Sequence, residues 1–195
     1  MNSKDEIVRT QIIESAKGVF RRYGYQKVSM NDIAKSCGKG RSTLYYYFKN
    51  KHEVLKEVAM EEYLSIIEPS HKQVNRSQTI SENLYIYNKH KLNALIQKKR
   101  EYDHLFTDIK EDSNILNGIL QKVREIEIRM IKELLQWGME KKEIAIISPK
   151  DHYFLSLAIV TAARSLETEM LLYGSIDEMN SRLPWLTNLL IKGLK

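Results

Sequence analysis

Gly24-Tyr25-Gln26-Lys27-Val28-Ser29-Met30-Asn31-Asp32-Ile33-Ala34-Lys35-Ser36-Cys37-Gly38-Lys39-Gly40-Arg41-Ser42-Thr43-Leu44-Tyr45-Tyr46-Tyr47-Phe48-Lys49-Asn50-Lys51 reads as two short helices between strong start and stop signals. Ser29 is a good N-cap, with Asp32 three residues later in the place of the usual capping-box glutamate. The helix it opens presents Ile33 and Ala34 inward, with Met30 as a further core residue. Gly38 and Gly40 mark a tight turn. The next helix places Leu44 and Phe48 one turn apart on its inner face. Asn50 caps the helix after that, with Glu53 at the box position.

Upstream, Ile12, Ala16, Val19, Phe20 and Tyr23 follow helical spacing and form one face of a first helix. Gly24 ends it as a left-handed cap. Three helices with a glycine turn between the second and third make a helix-turn-helix, here centred on residues 27–48. In that geometry the first two helices brace the third, whose N-terminal residues enter the major groove of double-stranded DNA. Those residues are Gly40, Arg41, Ser42 and Thr43. Gly40 lets the backbone come close, Arg41 can reach guanine edges or phosphate, and the two hydroxyls suit bases or phosphates. Tyr45, Tyr46 and Tyr47, followed by Lys49 and Lys51, suit phosphate contacts, with packing as the alternative for Tyr45 and Tyr46.

Charge follows the same division. The chain of 195 residues carries a net charge of +6. Residues 1–50 hold ten Lys and Arg against four acids, and residues 51–195 hold 21 of each sign. A basic module joined to a neutral one points to a polyanion partner for the first part only. We therefore divide the sequence into a helix-turn-helix domain, residues 1–50, and a helical ligand-binding and dimerisation domain, residues 51–195.

The single cysteine, Cys37, rules out an internal disulfide and makes a reducing cytoplasm the expected location. Cys37 reads as a small buried hydrophobe or as a redox sensor. The polar N-terminus has no apolar signal segment, and the longest nearly apolar run, residues 154–163, is too short to span a membrane.

Helical periodicity continues downstream. The helix from residue 51 is expected to stop near Glu68, before Pro69. Further helices are expected over 78–99, 101–110, 113–142 and 149–173, with a last one over 177–194 that either bends or begins at Pro184. The run from Phe154 to Ala163 is apolar nearly all round and must be covered on both sides. A second copy of the chain is the simplest cover, through Phe154, Ala158, Thr161, Ala162, Leu183, Leu186 and Leu190. The helices of residues 78–142 then surround a pocket for an unidentified small-molecule effector, with Tyr85, His90, Tyr102, His104, Phe106 and Trp137 as candidate lining, each also a candidate core residue. His104 and Asp108 lie four apart and could share a metal, but nothing supplies the remaining ligands. No glycine-rich phosphate loop, HExxH or paired Glu-x-x-His signature suggests an enzyme or asks for a cofactor.

The ordered run of Gly24-Tyr25, Val28 to Ala34 and Gly38 to Lys51 resembles the DNA-binding signature of the TetR family of bacterial regulators. The resemblance implies an all-α homodimer that binds a palindromic operator and is usually a repressor relieved by a small molecule. It also implies phosphate contacts from Ser29, Tyr45, Tyr47 and Lys51. Two departures stand out. Lys39 occupies a position where an apolar residue is common, and Gly40-Arg41-Ser42 replaces a Ser-Lys-Gly-like run. Both change which groups face the bases.

Overall fold

The computed structural model describes residues 3–116, 118–174 and 176–195, and every regular element among them is helical. In chain order these are α1 (Ser3–Tyr23), α2 (Met30–Ser36), α3 (Arg41–Tyr47), α4 (Lys51–His71), α5 (Ile80–Glu101), α6 (Asp103–Glu111), a 3-10 turn (Ser113–Leu116), α7 (Leu120–Glu140), α8 (Pro149–Leu172) and α9 (Ile176–Gly193).

The chain forms two compact units. The first takes the residues through Tyr63 together with Lys98–Leu120, and the second takes Leu64–Gln97 with Gln121–Lys195. Helices α4 and α5 thus each contribute to both.

In the first unit α1 packs on α2 and α6, and α2 packs on α3. Ile12, Ala16 and Phe20 on α1, Ile33 on α2, Leu44 on α3 and Val54 on α4 are fully buried, which is the inward face that the periodicity predicts. Burying a side chain such as Phe20 contributes about 1.5–3 kcal/mol. Gly24 ends α1 at φ +76°, and its N–H donates to the Phe20 carbonyl at 2.9 Å, closing a left-handed cap.

In the second unit one core joins Ile80, Leu84 and Tyr87 of α5 to Ile128, Ile131, Leu134 and Leu135 of α7, with Ile144, Val160 and Ile191. Gly138 lets α7 approach closely: a Cβ there would lie 2.9 Å from Ile80 Cδ1. Helix α7 ends on Lys142 at φ +59°, with Lys142 N–H donating to Met139 O at 3.0 Å and Glu143 N–H to Gly138 O at 2.9 Å. This pair of bonds is a Schellman cap built without glycine.

Three boundaries differ from the sequence reading. Helix α4 continues past Pro69 to His71. A proline so near the C-terminus removes only one intrahelical donor, and the Ser70 hydroxyl donates to Ile66 O at 2.8 Å beside it. Helix α9 likewise runs through Pro184 and starts at Ile176. Helix α7 begins at Leu120, because a 3-10 turn and Gly118 at φ +73° interrupt the stretch before it.

Candidate nucleic-acid interface

The helix-turn-helix is built by its caps. Ser29 N–H and Oγ donate to Asp32 Oδ2 at 2.9 and 2.6 Å, and Asp32 N–H returns a bond to Ser29 Oγ at 3.3 Å. These bonds from Ser29 hold the Asp32 carboxyl below its ordinary value. After α2, Gly38 at φ +64° makes the turn, with Lys39 N–H donating to Ala34 O at 3.0 Å. Asn50 Oδ1 accepts from Glu53 N–H at 2.9 Å, while Glu53 accepts from Lys49 N–H at 2.8 Å, so α4 starts where expected.

Helix α3 buries Leu44 and turns Gly40, Arg41, Ser42, Tyr45 and Tyr46 to solvent, with Thr43, Lys39 and Tyr47 half-buried. Tyr46 is the most open of the three tyrosines, 75% exposed. It meets Tyr47 edge-on, with ring centroids 4.9 Å apart. The Tyr47 hydroxyl donates to Asp5 Oδ1 at 2.9 Å, which ties α3 to the start of α1. The Arg41 guanidinium lies 5.4 Å from the Tyr45 ring centroid. Gly40 has φ −68°, and a Cβ there would meet only Ser42 and Thr43 hydroxyl oxygens at 3.8 and 3.9 Å. Among the described residues nothing therefore requires glycine at this position.

Lys51 is placed differently from the exposed groups. Its ammonium donates to the carbonyls of Tyr25, Gln26 and Val28 at 2.8, 3.3 and 3.0 Å and lies 4.3 Å from the Tyr25 ring centroid. Cys37 is half-buried, and its thiol donates to Ala34 O at 3.3 Å.

The second unit holds a cavity of about 430 Å³ between α5, α7, α8 and α9. Its wall is mostly aliphatic, including Leu84, Ile131, Ile159 and Leu183. Lys91, Glu127 and Glu167 form a charged patch in that wall. Lys91 Nζ lies 3.0 Å from Glu127 Oε1 and 2.6 Å from Glu167 Oε1, and the Tyr87 hydroxyl donates to Glu127 at 3.1 Å. None of the six candidate lining residues faces this cavity. Tyr85, His90 and Trp137 belong to the second unit, where His90 is exposed and Trp137 packs against the aliphatic core. Tyr102, His104 and Phe106 belong to the first, where Tyr102 is buried and its hydroxyl donates to Glu62 at 2.7 Å. The cavity wall went unread because aliphatic residues at helical spacing look the same whether they line a cavity or fill a core. Among the described residues no three His, Cys, Asp or Glu side chains converge on a metal position, and no helix is long and apolar enough to cross a membrane.

The α8 face expected to meet a partner is open. Phe154 is 70% exposed, and Ala158, Thr161 and Ala162 are exposed beside it. On α9, Trp185 and Leu189 are exposed and Leu186 and Leu190 half-buried, whereas Leu183 is already buried in its own chain.

A trihelical head whose third helix exposes Arg41, Ser42 and two tyrosines, on an otherwise all-α chain, is a helix-turn-helix architecture. Residues 12–58 match the sequence pattern of the bacterial regulatory proteins of the tetR family. The match spans the helix-turn-helix, so residues 12–58 are a DNA-binding segment of the TetR type. It is 23% identical over 155 residues to the HTH-type transcriptional regulator YhgD of Bacillus subtilis, covering 77% of this chain and 79% of that one. It is 30% identical over 127 residues to the HTH-type transcriptional regulator QacR of Staphylococcus aureus, covering 60% and 64%. A TetR-family regulator from Pectobacterium atrosepticum shares the fold, with a TM-score of 0.71, 16% identity and coverage of 100% and 97%. Such proteins regulate transcription by binding DNA and are not enzymes.

Proposed function

We propose that this chain is a cytoplasmic repressor that binds a palindromic operator as a homodimer and leaves it when a small, mainly apolar molecule enters the second unit. The observation that carries the reading is the exposed surface of α3: Arg41, Ser42, Tyr45 and Tyr46 stand open on a helix whose inner face is fixed by Leu44. Arg41, Ser42 and Thr43 read bases, and Ser29, Lys39, Tyr45, Tyr46 and Tyr47 contact the phosphate backbone. Residues 1–50 carry these contacts, and residues 51–195 carry the dimer and effector functions. The open α8 face at Phe154, Ala158 and Ala162 supports the dimer. The aliphatic cavity with its buried charged patch supports an apolar effector.

The test is selection of duplexes from a random pool by the full-length protein, followed by affinity measured against salt. Log affinity falls linearly with log salt concentration if phosphate contacts are made. Arg41→Ala then weakens the selected site by about 1–3 kcal/mol and relaxes base preference beneath α3. An equal loss for every duplex makes Arg41 a phosphate anchor instead. Sedimentation tests the interface: a folded Ala162→Glu variant shifts toward monomer, and an unchanged dimer moves the interface elsewhere.

A further inference from the structure

The main chain between α1 and α2 is short, bent and held from outside. Gly24, Tyr25, Gln26 and Val28 lead directly into Ser29, the N-cap on which α2 begins. The position of this turn therefore sets where α2 starts, and α2 in turn packs on α3. The turn's own internal bonding is sparse: Val28 N–H reaches Tyr25 O at 3.3 Å. Five of its polar main-chain groups are met by two side chains of opposite charge.

One is Lys51, whose ammonium takes the carbonyls of Tyr25, Gln26 and Val28. The other is Asp108, on α6, more than 80 positions along the chain. Its Oδ2 accepts from Tyr25 N–H at 2.5 Å and from Gln26 N–H at 2.9 Å. An acceptor-only carboxylate suits the N–H side of a turn, and a donor-only ammonium suits the carbonyl side. Charge-assisted bonds of this kind are shorter and stronger than neutral ones. Gly24 shows how closely α6 is seated. A Cβ at this position would fall 2.4 Å from Asp108 Oδ2 and 3.2 Å from the main-chain carbonyl of His104. The close approach and the positive φ both require glycine here.

We propose that Asp108 is a positioning residue for DNA binding: from α6 it fixes the α1–α2 turn, and through it the placement of α2 and α3, without touching DNA. The inference rests on the DNA-binding reading above and extends the DNA-reading machinery to a helix outside residues 1–50. It also gives Asp108 a role that a metal pairing with His104 does not.

The experiment uses the full-length chain and the duplex that the wild-type protein enriches from a random pool. Asp108→Ala is expected to weaken that duplex about tenfold while leaving the slope of log affinity against log salt unchanged, because no phosphate contact is lost. Asp108→Asn keeps an acceptor oxygen in place and is expected to stay within about threefold of wild type. Hydrogen exchange of the Tyr25 and Gln26 amides speeds up in Asp108→Ala, with that of the α1 amides unchanged. Wild-type affinity in Asp108→Ala, a shallower salt slope, or an Asp108→Asn as weak as the alanine variant each overturn the proposal. If Asp108→Ala does not fold, Asp108→Asn and Asp108→Glu carry the test, with asparagine expected to bind more tightly because glutamate carries its oxygens one methylene too far. Equal affinities of those two overturn it. A wild-type protein that enriches no duplex overturns the DNA-binding reading itself, whereas unaffected binding by the variants overturns only the role of Asp108.

Discussion

Glu62 in the first unit and Glu167 in the second both pair with a lysine, and their carboxyls move in opposite directions. Burial pushes the Glu62 carboxyl up, but hydrogen bonds from Lys98 and the Tyr102 hydroxyl outweigh it and hold the group below its ordinary value of 4.5. Burial also pushes Glu167 up, and there it prevails over the attraction of Lys91 and Arg164, with the negative charge of Glu127 adding to the rise. The Glu62 side chain keeps 15% of its surface and that of Glu167 only 6%. The partners are similar; the water each group gives up is not. Ion pairs that keep some solvent stabilise their ionised form, while an enclosed cluster holds its charge only through a complete set of partners.

The second cluster should therefore break hardest. Lys91→Met leaves Glu127 and Glu167 buried without their shared cation, and is expected to cost about 3–5 kcal/mol in thermal or urea unfolding. A Lys91→Met, Glu167→Met double variant should recover part of that loss, since it removes one of the two buried carboxylates and leaves Glu127 facing Arg164. A double variant no more stable than the single one would falsify the assignment of the cost to unpaired charge.

The two left-handed helix ends sharpen the comparison next. Gly24→Ala puts a Cβ into Asp108 at a positive φ, and is expected to destabilise the first unit by about 1–3 kcal/mol. Protease sensitivity of the residues around Tyr25 should rise with it. Acid titration tests Glu62. Its folded-state value is lowered, so its stabilising contribution is present above about pH 4.5 and is lost as pH falls through the lowered value. The gap in melting temperature between wild type and Glu62→Gln, corresponding to roughly 1 kcal/mol at neutral pH, should close below that point. A gap that widens in acid would put the proton on another group. For the raised Glu167 the sign reverses: its burden is absent below about 4.5 and grows as pH rises toward the raised value. The smallest effect belongs to the other helix end. Lys142→Gly relieves a non-glycine residue at φ +59° and should stabilise by about 0.5–1 kcal/mol.

The parts of this architecture that the sequence disclosed are those with local signatures. Ser29 with Asp32, Asn50 with Glu53 and the glycine after Tyr23 are short-range chemistry, and each stands where its spacing put it. The all-α fold and the regulator family followed from the same stretch. What stayed hidden depends on distant pairing. Asp108 has no local feature that points to Tyr25 and Gln26, and its helical spacing from His104 offered only an incomplete metal pair. Lys51, read as a phosphate contact, has its ammonium on three carbonyls that only the folded turn brings together. Lys91, Glu127 and Glu167 look in sequence like ordinary charges on solvated helices, yet all three are buried. A charge inside an otherwise apolar helical face was the signal available, and composition alone does not separate it from a surface residue.

The first unit is assembled from two separated stretches of chain, and that matters for recombination. A crossover at residue 50 looks like a clean exchange of DNA-reading heads between relatives. It would instead part Gly24 and Tyr25 from the Asp108 that seats them, and Val28 from Lys51. A viable hybrid has to inherit both stretches from one parent, or find a recipient whose α6 already offers a carboxylate at that spot. On the proposed reading of α3, new operator preferences should therefore arise more readily by point changes at Arg41, Ser42 and Thr43 than by swapping heads whole.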